Sequence, residues 1–296
     1  MQTIKKNTVQ ANGLEFHYLD IGEGPLALCL HGFPDSPWTY RYLLPELAKA
    51  GYRAVAPFMR GYAPTQISAN GDYETCTLAA DAAALHGALG GDKNAVLIGH
   101  DWGSVAAIGA ATHAPERWRR CVIMSVPPFA VFGQVAFNYD QIKRSFYFWF
   151  FQMKISDAIV PGNNMAFIDD LWADWSPGYD AKEDLAHVKD CLRQPANLQA
   201  AMGYYRSLFH PDRFGSPDGM AAQNNTWGRT VPQPTLYLHG VQDGCVGLNE
   251  TTTNSVLDFV GPGSEVVRIQ DAGHFLLVEK PAQVNERILQ FLGKAQ

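Results

Sequence analysis

Three side chains in this sequence have the types and the setting to make and break a covalent bond: Asp101 in "AVLIGHDWGS", Asp243 in "LYLHGVQDG" and His274 in "IQDAGHF". Asp101 lies in Gly99-His100-Asp101-Trp102-Gly103, between the apolar run Val96-Leu97-Ile98 and the small-residue stretch Val105 to Ala111. That pattern predicts a sharp turn from a buried strand into a helix, which projects residue 101 from the carboxyl edge of a sheet and aims the Trp102 N–H at the reacting centre. An ordinary aspartate has a pKa of about 3.9 and needs no base to become a nucleophile. Asp243 and His274 each follow an apolar run, "PTLYLHG" and "SEVVRIQ". Placed at neighbouring strand ends, the acid would fix the tautomer of the imidazole and stabilise its cation. The turn His31-Gly32-Phe33-Pro34 follows "LALCL", and its Phe33 N–H can join that of Trp102 as a pair of donors to a developing oxyanion.

A carboxylate nucleophile suits attack at saturated carbon. Displacement there by Asp101 gives an alkyl-enzyme ester, which divides one difficult step into two. His274 then activates the water that cleaves the ester. Ser104 is out of register for the turn, so a serine esterase is poorly supported.

The elements that must position these groups read as strand and helix in alternation. "LEFHYLDIG", "LALCLHG", "RAVAPF", "NAVLIG" and "RRCVIMSV" carry strand patterns, and "WTYRYLLPELAKAG" and "CTLAADAAALHGALG" carry helical ones. Such alternation implies a parallel sheet covered by helices on both faces. From about Phe129 to Arg229 aromatic, Met-rich and Pro/Gly-punctuated segments replace it, predicting a mostly helical insertion. "QPTLYLHG" and "SEVVRIQ" resume the strand pattern, and "PAQVNERILQFLG" closes as an amphipathic helix. The expected division is a core of residues 1–128 and 230–296 and a cap of residues 129–229.

At 296 residues, 47% hydrophobic and 18% charged, the composition is that of a soluble globular protein. A net charge of −6 and the lack of a Lys/Arg stripe argue against nucleic acid. The opening "MQTIKKNTVQANG" lacks a signal-peptide pattern, and the aromatic run Phe146 to Met153 is far shorter than the ~20 residues of a membrane span. The five cysteines, Cys29, Cys76, Cys121, Cys191 and Cys245, are scattered without C-x-x-C spacing. They suggest reduced thiols in the cytoplasm and no zinc site. No metal, cofactor or membrane partner is expected, and a homodimer is left open.

"HGFPDSPWTYR", "GHDWGS", "HGVQD" and "DAGHF" together resemble the α/β-hydrolase-fold epoxide hydrolases over nearly the whole chain. The resemblance implies an α/β fold with a mostly parallel central sheet flanked by helices, and a helical cap inserted into it. It also implies two cap tyrosines that polarise an epoxide oxygen: Tyr147 in "SFYFWFFQ" and Tyr205 in "MGYYRS", with Tyr204 the alternative for the second. The substrate would be a small hydrophobic epoxide, opened by water to a diol. His31, Pro34, Trp38, Trp149 and Phe275 are expected around the pocket. Haloalkane dehalogenases also resemble the chain and share the Asp-Trp pair, but they carry Asn where Phe33 stands here; fluoroacetate dehalogenases carry Arg where Trp102 stands. Trp149, Trp172 and Trp175 keep a halide-binding alternative open, as does a non-catalytic ligand-binding protein of the same fold.

Overall fold

The computed structural model describes residues 3–294. Among them, eight strands join in one sheet: β1 (Lys5–Ala11), β2 (Leu14–Ile21), β3 (Leu26–Leu30), β4 (Arg53–Pro57), β5 (Val96–His100), β6 (Arg120–Met124), β7 (Thr235–Gly240) and β8 (Glu265–Ile269), in the order β1-β2-β4-β3-β5-β6-β7-β8. From β4 to β8 every neighbouring pair is parallel. The strands β3, β5, β6 and β7 are buried at every residue, as helices on both faces require.

The first two strands depart from the parallel pattern. They form a hairpin, Lys5 opposite Asp20 through Ala11 opposite Leu14, and β2 runs antiparallel to β4. Asn12 and Gly13 at its tip both have positive φ, the conformation a two-residue hairpin turn demands. The strand β1 escapes a hydrophobicity reading because all of it except Val9 and Ala11 is exposed.

Helices Leu43–Lys49 and Pro281–Leu292 pack on each other, and Thr75–Ala88 packs on Trp102–His113. Gly109 permits the second contact, since a Cβ there would lie 2.7 Å from that of Ala79. Between β6 and β7 the chain forms eight helices, from Phe129–Gly133 to Pro217–Thr226, and no strand beyond an isolated bridge of Val231 to Val260. Among the described residues no helix is long and apolar enough to cross a membrane.

Candidate active site

Four chain segments leave the carboxyl ends of β3, β5, β7 and β8 and converge at one edge of the sheet. The turn after β5 carries Asp101. Asp101 has φ 54° and ψ −121°, a conformation L side chains rarely adopt. Two glycines make this turn possible: a Cβ at Gly99 would come 2.2 Å from the Gly103 carbonyl oxygen, and one at Gly103 would come 1.9 Å from that of Leu30. Ser104 braces the turn by donating its hydroxyl to the carbonyls of Gly99 and Met124, both at 2.9 Å. That hydroxyl is therefore committed to the backbone.

The Asp101 carboxylate is buried. Its Oδ1 accepts the Phe33 N–H at 2.7 Å, while Oδ2 faces His274 Nε2 at 3.5 Å. Trp102 begins the helix that follows, so its N–H belongs to the first turn, whose donors have no partner within the helix. On the far side of the imidazole, Nδ1 lies 3.1 and 3.2 Å from the two Asp243 oxygens. Asp243 Oδ1 also accepts the N–H groups of Cys245 and Val246 at 2.8 and 2.9 Å. Burial alone would raise the Asp243 carboxyl, but His274 and these hydrogen bonds hold it below its ordinary range. Burial alone would lower His274, yet the neighbouring carboxylates hold its pKa well above that of an ordinary histidine. These neighbours favour the protonated form of His274, which sits between Asp243 and Asp101.

The insertion helps to set this geometry. The Trp175 carbonyl accepts the N–H of His274 at 2.9 Å and that of Gly244 at 3.1 Å, tying the histidine loop to the acid loop. The His274 carbonyl in turn accepts from His100 Nε2 and from the Ser125 hydroxyl, each at 2.8 Å.

Above Asp101 is a narrow cavity of about 40 Å³, whose walls include Trp102, Tyr147, Tyr205 and Cys245. Tyr147 and Tyr205 are 1% and 2% exposed, with ring centroids 5.3 Å apart. Burial pushes both phenols well above their ordinary pKa, and the Asp101 charge adds to it. Both therefore stay protonated as donors. Tyr204 faces elsewhere: its hydroxyl donates to the Arg60 carbonyl at 2.8 Å. Of the adjacent pair, Tyr205 is the one that shares the cavity with Asp101.

A family model described as alpha/beta hydrolase fold matches residues 25–281. Epoxide hydrolase A of Mycobacterium tuberculosis is 30% identical over 317 residues, covering 96% of each chain. The chain belongs to the α/β-hydrolase-fold epoxide hydrolases. Among solved structures, an epoxide hydrolase from Bacillus megaterium superposes with a TM-score of 0.83 at 25% identity, over 97% of this chain and 100% of that one. One from Vigna radiata gives 0.82 at 26%, over 99% of both.

Several pocket expectations need correction in this family member. His31 is buried beneath the site, where Nε2 accepts the Met59 N–H at 3.1 Å and Nδ1 lies 2.9 Å from the Gly32 carbonyl. Pro34 follows a cis peptide, and its carbonyl accepts the Trp172 indole N–H at 2.7 Å. Trp38 stacks on His187, with centroids 5.0 Å apart, outside the cavity. Phe275 stacks on Trp172 at 3.4 Å, behind the imidazole. All four shape the supports of the site and none lines it, because each ring or carbonyl is spent on a packing or hydrogen-bonding partner. Trp149 is 41% exposed and lines a second, outer cavity of about 480 Å³. Phe132, Phe148, Leu208, Phe209 and Trp227 contribute to both cavities and form the partition between them.

As halide donors the tryptophans fare poorly. The Trp172 N–H is committed to Pro34, Trp175 is absent from the cavity lining, and Trp149 reaches only the outer space. Cys245 also lines the cavity. Its Sγ lies 3.4 Å from the Tyr147 hydroxyl, and the one signal for it is its position two residues after Asp243.

Proposed function

We propose that this hydrolase opens epoxides to vicinal diols through an ester on Asp101. The observation that carries the reading is the pair of protonated phenols, Tyr147 and Tyr205, in the same cavity as the Asp101 carboxylate. An epoxide departs as a basic alkoxide and needs such donors, whereas a halide does not.

Asp101 Oδ attacks a ring carbon, the C–O bond breaks, and a phenol gives its proton to the alkoxide. Esterification removes the Asp101 charge, one of the neighbouring groups that hold the proton on His274. The imidazolium then returns a proton to the phenolate and becomes the neutral base that the second step requires. It deprotonates water, which attacks the ester carbonyl. The oxyanion forms on a side-chain oxygen of residue 101, where the Phe33 N–H already lies 2.7 Å from Oδ1 and the Trp102 N–H is the second proposed donor. Collapse releases the diol and restores both the carboxylate and the imidazolium.

The apolar linings of the two cavities suit a hydrophobic epoxide. A single turnover in water labelled with heavy oxygen, with enzyme in excess, tests the covalent route. The expected diol is unlabelled, its new oxygen having come from Asp101; label in that first product rejects the ester.

A further inference from the structure

We propose that the cleft also binds a divalent cation of the Zn²⁺ class through Asp101, Cys245 and His274, reversibly blocking the nucleophile and the base. One donor atom from each of these buried residues lies within 4.8 Å of the others. The set, a carboxylate oxygen, a thiolate sulfur and an imidazole nitrogen, selects zinc-like ions over magnesium or calcium.

The geometry is close to that of a metal centre. With bonds of 2.0–2.3 Å, a tetrahedral zinc separates its ligands by about 3.3–3.6 Å. Asp101 Oδ2 and His274 Nε2 already stand 3.5 Å apart. The Cys245 sulfur needs at most a shift of about 1 Å to complete the face. His274 Nε2 is buried and has no hydrogen-bond partner.

The outer contacts are those that orient metal ligands. His274 Nδ1 is held by Asp243 at 3.1 Å, and Asp101 Oδ1 by the Phe33 N–H at 2.7 Å, so each presents its other atom to the ion. The fourth position opens into the cavity, beside the Tyr147 hydroxyl. On coordination the Cys245 thiol and the His274 imidazolium each release a proton to solvent as sulfur and Nε2 acquire a bond to the metal.

Positions 101, 245 and 274 have no metal-motif spacing, so only the fold brings them together. The proposal does not depend on epoxide chemistry, because its test is read without substrate. Purified chain, stripped with chelator, is titrated with Co²⁺ as a spectroscopic probe and with Zn²⁺ by calorimetry. One equivalent should bind, with tetrahedral visible bands and a thiolate-to-cobalt charge-transfer band.

Cys245→Ser should abolish the charge-transfer band and weaken Zn²⁺ at least tenfold. Cys245→Ala, checked for folding by near-ultraviolet dichroism, gives a second measurement of the same loss. Cys76→Ser, at the one exposed cysteine, should change neither. No charge-transfer band in the unsubstituted chain, a band that persists in both Cys245 variants, or its loss in Cys76→Ser would overturn the assignment.

Discussion

Two neighbouring tyrosines in one helix differ in what their hydroxyls meet, and the difference is measurable. Replacing both Tyr147 and Tyr205 by Phe removes the proton donors from the cavity and should slow ring opening by about 10²–10⁴-fold, the usual worth of general acid catalysis. The rate of epoxide disappearance checks this. Tyr204→Phe should leave that rate near its original value while costing about 1 kcal/mol of stability, through the lost bond to the Arg60 carbonyl. Asp101, Asp243 and His274 were legible because each sits in a motif at the end of an apolar run. The choice between Tyr204 and Tyr205 was not, since it depends on a carbonyl 144 residues away in sequence. Cys245 was missed because a lone cysteine in a glycine-rich turn carries no spacing of its own.

Among the elements, the passage from β5 into the helix Trp102–His113 leaves no room for an added side chain. Gly103→Ala would press a methyl group into the Leu30 carbonyl, at a distance where backbone must move. A destabilisation of at least about 1–3 kcal/mol is expected, read as a lowered unfolding midpoint, with loss of activity as Asp101 is displaced. Alternating apolar runs made β3 to β8 readable. The hairpin strand β1 was not, because an edge strand in solvent has little hydrophobic pattern to show. The insertion was legible only as a break in rhythm. Which of its aromatics would form the partition, and which would stack behind the histidine, depends on helix packing that one sequence does not encode locally.

At the scale of the whole molecule, a buried polar pair links the sheet edge to stability. Burial pushes the Asp35 carboxyl up to about 8, and His100 down to about 4, so both are neutral near pH 7. Asp35 Oδ2 and His100 Nδ1 face each other at 3.7 Å, and neither atom has a hydrogen-bond partner. Between about pH 4 and pH 8 the unfolded chain ionises Asp35 while the folded one keeps its proton. The unfolded state then binds fewer protons, so this residue makes stability fall as pH rises. Asp35→Asn removes that contribution. Its stability relative to the original chain should climb by at most about 1.4 kcal/mol per pH unit across the window and level off above it, as chemical denaturation at several pH values would record. In the sequence, Asp35 reads as an ordinary turn residue; its burial comes from the converging segments around it.

The backbone at residue 101 has a wider consequence. Its φ of 54° would be comfortable for glycine and is uncomfortable for aspartate. On the proposed role of Asp101 as nucleophile, a directed search that rewards heat tolerance alone will be drawn toward shortening this side chain and away from turnover. Selection for robustness in this scaffold must be paired with selection for turnover, because at this one position the two pull in opposite directions.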